Sequence, residues 1–185
     1  MRLAVFALTI VVLCSCFVVQ FATPLQSQTS DKRPPSALQA NSLCAKDEHI
    51  IFSCAIKRTS KIVSLCASRD LDKERGYLQY RFGLPGEVEL EFPKDRQNTQ
   101  QQFHYSHYFR YQVDLTEISF NIDGYEYQIF DDYNGEEKPS ISSQGVSVTA
   151  PGKPKEVSFV CASKPRADYS TLQDILPHDQ EMLVH

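Results

Sequence analysis

The chain has 185 residues, 42% of them hydrophobic, and a formal net charge of −4 with both signs interspersed. No cluster of Lys and Arg forms a basic stripe, which argues against nucleic acid as a partner. Trp is absent, so 9 Tyr and 11 Phe carry the aromatic load of the core.

Arg2 supplies a short basic start, and "LAVFALTIVVLCSCFVVQFA" then runs apolar without a charge. This predicts a secretory signal over 1–22, with a retained membrane anchor as the alternative. Ala22 is a candidate last residue of the leader, although Gln20 two positions before it is a poor match. "LCSC", ending at Cys16, loosely resembles a bacterial lipoprotein box, but Cys14 and the apolar "FVV" that follows depart from that pattern. Residues 23–42 are rich in Ser, Gln, Pro and Lys and read as a flexible linker. The β domain is expected over 43–162. The tail 163–185 is expected either to fray or to form one short helix around "STLQDIL".

Short alternating runs separated by turn residues predict an all-β, antiparallel domain, a single sandwich or small barrel of about seven or eight strands. In "EHIIFSCAIK", 48–57, alternation puts Ile50, Phe52, Cys54 and Ile56 on one face. "KIVSLCAS", 61–68, returns after "RTSK", and the charged "RDLDKERG" makes a longer connection. In "GYLQYRFG", 76–83, Leu78, Tyr80 and Phe82 share the apolar face, and Tyr77, Gln79 and Arg81 the polar one. "EVELEF", 87–92, offers Val88, Leu90 and Phe92 to the core and three Glu to the other side. For the apolar faces to coincide, Phe82 is expected to pair with Val88 through a five-residue loop or a bulge. Arg81 then stands opposite Glu89 in an exposed cross-strand pair contributing about 0.2–1 kcal/mol. "QFHYSHYFRYQVDL", 102–115, is aromatic-rich strand with blurred alternation. Asp123-Gly124 is a two-residue hairpin signal that pairs Ile122 with Tyr125, Phe120 with Tyr127 and Ile118 with Ile129. A last hairpin joins "GVSVTA" to "EVSFVCA" across "PGKPK".

Beyond the leader remain Cys44, Cys54, Cys66 and Cys161, an even number that favours two disulfides in an exported chain. No C-x-x-C pair exists, which leaves zinc or thioredoxin-like chemistry little support. Strand parity selects the connectivity. Cys54 and Cys161 each share the apolar face of their strand, whereas Val63 and Leu65 claim that face from Cys66. The pairs Cys54–Cys161 and Cys44–Cys66 are therefore expected.

"FSC", "SLCAS", "GYLQYRFG", "PGEVELEFP" and "QGVSV", followed by Cys161 in the last strand, resemble a group of uncharacterised exported proteins of Gram-negative bacteria. The resemblance spans roughly 44–162 and implies a bacterial exported protein, but no activity. "QQFHYSHYFRYQ" and the tail depart from it.

Motifs of chemistry are sparse. His104 and His107 form H-x-x-H, which could share a metal on a helix but points to opposite faces on a strand. "DDYNGEE", 131–137, gathers carboxylates without the calcium-loop pattern and reads as a solvated turn. No G-x-S-x-G, P-loop or dinucleotide fingerprint occurs, so no catalytic, cofactor or metal residue is assigned and no cofactor is expected. The candidate binding surface is Tyr77, Gln79, Tyr105, His107, Tyr108, Arg110 and Tyr111, because Tyr and Arg are enriched where proteins meet. The plainer reading is that these tyrosines cap a core short of Trp.

The expected function is a non-enzymatic periplasmic or secreted binding protein acting on an unknown protein or envelope ligand. A protein-directed inhibitor is the sharper form, by fold-level analogy with small disulfide-tied envelope inhibitors of lysozyme. The alternatives are an envelope lipoprotein anchored at Cys16, where the lipid is the sole membrane contact, and a small exported hydrolase.

Overall fold

The computed structural model describes residues 41–178. The expected signal, Cys16 and the linker up to residue 40 lie outside the described residues.

Two antiparallel five-stranded sheets form a β-sandwich. The first sheet contains β1 (His49–Ala55), β2 (Ile62–Ala67), β3 (Leu78–Leu84), β4 (Glu87–Phe92) and β10 (Arg166–Ala167), in the order β10-β1-β2-β3-β4. The second runs in sequence order through β5 (His104–Arg110), β6 (Val113–Ile122), β7 (Tyr125–Asn134), β8 (Ile141–Thr149) and β9 (Val157–Val160). Ten strands among the described residues exceed the expected seven or eight. Residues 102–115 are not one strand, because a turn at Tyr111-Gln112 folds them into the β5–β6 hairpin with Arg110 paired to Val113. Alternation is blurred there because parity restarts across the turn. The strand that the sequence did not anticipate is β10, which joins the edge of β1.

The core lies between the sheets. Phe52, Val63, Leu65, Leu78 and Tyr80 of the first sheet meet Ile118, Phe120, Ile129 and Val146 of the second. Complete burial of such side chains contributes about 1.5–3 kcal/mol each. Successive inward residues of β3 meet different strands of the second sheet. Tyr80 lies 4.9 Å from Phe120 of β6 and 5.9 Å from Tyr127 of β7, while Phe82 lies 6.1 Å from Phe159 of β9. The strands of the two sheets therefore cross, and the chain turns the corner at 160–162. Val160 accepts from the Lys57 N–H, Cys161 donates to Gln144, and Ala162 donates to Ala55.

Both expected disulfides are present, Cys44–Cys66 and Cys54–Cys161, with Cα separations of 5.4 and 5.7 Å. They fit an oxidising compartment. No helix among the described residues is long and apolar enough to cross a membrane.

The fold continues past residue 162. Residues 166–167 pair with β1, and the short helix α1 (Leu172–Ile175) lies within "STLQDIL". Leu172 and Leu176 are buried in the core, and Tyr105 of β5 donates its N–H to Pro177. The tail thus seals the β5 side of the sandwich rather than fraying over this stretch.

Two register expectations need correction. A bulge between Ile50 and Phe52 places Ile50 opposite Cys66, so Ile51 rather than Ile50 joins the core. The β3–β4 hairpin has a tight Pro85-Gly86 turn plus a bulge between Phe82 and Gly83. Phe82 consequently faces Leu90, and Arg81 faces Glu91 rather than Glu89. The apolar faces coincide at Phe82–Leu90 and Tyr80–Phe92, but Val88, expected in the core, pairs with Gly83 beyond the bulge and is 43% exposed. Gly83 is needed at the bulge, since a Cβ there would come within 2.2 Å of the Glu87 carbonyl oxygen. The DG hairpin has its expected register throughout, with Asp123 and Gly124 both at positive φ.

Candidate functional site

The outer face of the first sheet was expected to be exposed, and it is not. Ser53, Ser64, Cys66, Gln79 and Arg81 stand on it, and all are buried. The segment Asn41–Glu48 covers them. Leu43 donates its N–H to Ser64 Oγ, the Asn41 carbonyl accepts from Ser53 Oγ, and Cys44 is bonded to Cys66. Arg81 is only 4% exposed. Its Nη1 and Nη2 donate to the two oxygens of Glu48 at 2.6 and 2.8 Å, and its Nε donates to Glu91 at 2.9 Å. Nη1 also reaches the Leu43 carbonyl, and Nη2 reaches Gln79 Oε1. Burial would raise the Glu48 pKa, but the hydrogen bonds from Arg81, the Ala45 N–H and Tyr77 together hold it below the usual range.

This network absorbs two residues of the expected binding surface. Gln79 is fully buried, and its amide donates to the Pro93 carbonyl at 2.8 Å. Tyr77 donates its hydroxyl to Glu48 at 2.8 Å while the Arg96 guanidinium lies 4.5 Å from its ring centroid. Burial and the Glu48 carboxylate push the Tyr77 hydroxyl up to about 12. Tyr105 leaves the surface as well, because odd-numbered residues of β5 face the core and Tyr105 is buried there.

The other four residues gather at one end of the second sheet, around the β5–β6 turn. His107 Nε2 lies 2.8 Å from Asp114 Oδ1. Arg110 makes a two-armed pair with Glu136, one arm at 2.7 Å. Tyr108 is half-buried on the outer face, and Tyr111 at the turn is 82% exposed. The structure adds three neighbours that sequence reasoning passed over, Phe109, Tyr133 and Ile141. Phe109 has core-facing parity yet is 72% exposed, because β5, β6 and β7 extend beyond the part of the sheet that the core covers. Gly135 donates its N–H to the Gln112 carbonyl at 2.6 Å, tying the next connection to this turn. The exposed rings therefore stand on a braced hairpin end.

His104 and His107 take opposite faces of β5, as a strand requires. The stretch 131–137 is not a turn, because β7 runs through Asn134. Its carboxylates are dispersed: Asp131 accepts from the Tyr169 hydroxyl at 3.2 Å, and Glu136 holds Arg110. Asp132 points to the outer face beside Glu117, and its Oδ1 is buried without a hydrogen-bond partner. Burial, with the charges of Glu117, Asp131 and Glu156, pushes its carboxyl up to about 6. No family model matches this chain, and no curated protein or solved structure is similar to it.

Proposed function

We propose that this is an exported, non-enzymatic binding protein, periplasmic or secreted, that engages a protein partner through the β5–β6 end of its second sheet. The observation that carries the reading is the outward display of Phe109 and Tyr111 on a hairpin held by Arg110–Glu136 and Gly135–Gln112 contacts. Large rings kept in water on a rigid support mark interaction sites. Aromatic anchors flanked by Arg are the residue types that dominate protein interfaces. The two disulfides accord with export, and a bacterial envelope origin follows from the sequence resemblance alone.

The test is crosslinking capture from periplasm or surrounding fluid, with wild-type protein beside the double variant Phe109→Glu, Tyr111→Glu. A protein captured by the wild type and lost by a normally melting variant supports the reading. Equal capture by both overturns the site. Hydrolysis that disappears with one Ser or His substitution overturns the non-enzymatic part. Mass measurement of the mature N-terminus separates a cleaved leader from a lipidated Cys16.

A further inference from the structure

The two ends of the interior are treated differently. The β5 side is filled by Phe103 and closed by α1, whose Leu172 is fully buried. On the β3–β4 and β8–β9 side no element among the described residues closes the gap, and a cleft of about 510 Å³ opens between the sheets. Tyr80, Phe82 and Leu90 form one wall, and Val146, Val148 and Phe159 the other. The volume lies within the range of about 300–1,000 Å³ typical of small-ligand sites, which are mostly apolar with a few placed polar groups. Here the placed groups are cations. Among the described residues, Lys153 and Lys155, on the connection before β9, are the charged residues lining the cleft, and no carboxylate lines it. Neither lysine forms an ion pair among the described residues. Tyr125 and Val157, which also line the cleft, remain 44% and 59% exposed.

We infer that this cleft binds a single-chain amphiphile with an anionic headgroup. The apolar chain enters between the sheets, and the headgroup pairs with Lys153 and Lys155. The charge pattern chooses the occupant: an apolar chain matches the walls, an anion matches the two unpaired ammonium groups, and a cationic head is repelled by them. The site is separate from the β5–β6 end, so it stands or falls independently of the protein partner.

Titration calorimetry on the full mature protein at about pH 8, where a carboxylate is ionised, tests this with dodecanoate, dodecyl phosphate, dodecanol and dodecyltrimethylammonium below their micelle concentrations. Dodecanoate or dodecyl phosphate is expected to bind one per chain, and preference between them identifies the head. The double variant Lys153→Glu, Lys155→Glu is expected to weaken the anion at least about tenfold and leave dodecanol unchanged. Equal affinity for all four heads, or no effect of the lysine variant, overturns the headgroup assignment. Absence of any binding overturns the site. Val148→Phe is expected to block all of the ligands. Because that variant can misfold, diazirine-labelled dodecanoate is also crosslinked to the wild type, with label expected in the lining strands β3, β4, β8 and β9. Label elsewhere, or a dimer by sedimentation that Val148→Phe dissolves, overturns the assignment, the latter in favour of a contact between two copies.

Discussion

Arg81 and Glu48, 33 residues apart, form a two-armed ion pair at 2.6 and 2.8 Å with side-chain exposures of 5% and 1%. Breaking a buried pair leaves the remaining charge uncompensated. Arg81→Ala is therefore expected to lower stability by about 3–5 kcal/mol in urea unfolding. The double replacement Arg81→Met, Glu48→Leu is expected to cost less than Arg81→Ala alone. A loss below about 1 kcal/mol for Arg81→Ala is the value of an exposed pair and would contradict the burial.

The same pair sets an acid limit. The Glu48 pKa is lowered in the fold, so its contribution is fully present above the unfolded value of about 4.3 and fades as pH falls through the lower folded value. Glu48→Gln should destabilise the domain at neutral pH and flatten the loss of stability below about pH 4. Melting temperatures from pH 7 down to about pH 2 check this.

Asp132 has the opposite sign. Its folded pKa, near 6, lies above the unfolded one, so the fold takes up a proton and gains stability as pH falls through that window. Above it, the buried carboxylate is a penalty. Asp132→Asn is expected to stabilise the domain at neutral pH by about 1–2 kcal/mol, allowing for screening of a half-buried group. Its advantage should shrink as pH approaches about 4. Equal stability of both proteins at pH 7 would show that the carboxylate is solvated.

Gly124 stands at φ +84° in the β6–β7 turn, and a Cβ there would meet Pro151 Cγ at 3.3 Å. Gly124→Val combines a disfavoured backbone region with that contact and should cost about 1–3 kcal/mol. An unchanged melting temperature would mean that the turn relaxes to another type.

The two disulfides should act at different places. Cys54–Cys161 closes 107 residues and Cys44–Cys66 closes 22. On loop-closure entropy these stabilise by about 5 and about 3 kcal/mol. Replacing Cys44 and Cys66 by Ala should in addition loosen 41–48 and uncover Arg81, seen as faster hydrogen exchange on the outer face of β2 and β3. Replacing Cys54 and Cys161 should instead loosen the corner at 160–162. Uniform loss of protection in both variants would argue against the covering role of 41–48.

Strand parity was enough, within the sequence, to determine the all-β class, the DG hairpin register and both disulfides. These depend on period-two alternation and on turn chemistry, which neighbouring residues carry between them. Parity also kept Phe82 with the core, but it could not place the bulges at Ile51 and Gly83, because the extra residue of a bulge shifts the partners and breaks the alternation beyond it. Only the tertiary structure decided what lies over each face. Arg81 and Gln79 look solvent-facing in the sequence because their strand alternates; they are buried because a segment some 35 residues earlier is bonded across them. Phe109 has core-facing parity once β5 is in register and yet stands in water, because its strand outruns the covered part of the sheet. The cleft above Tyr80 depends on how two sheets cross. Alternation says which way a side chain points along its strand, but burial depends on which distant element, if any, is there to meet it.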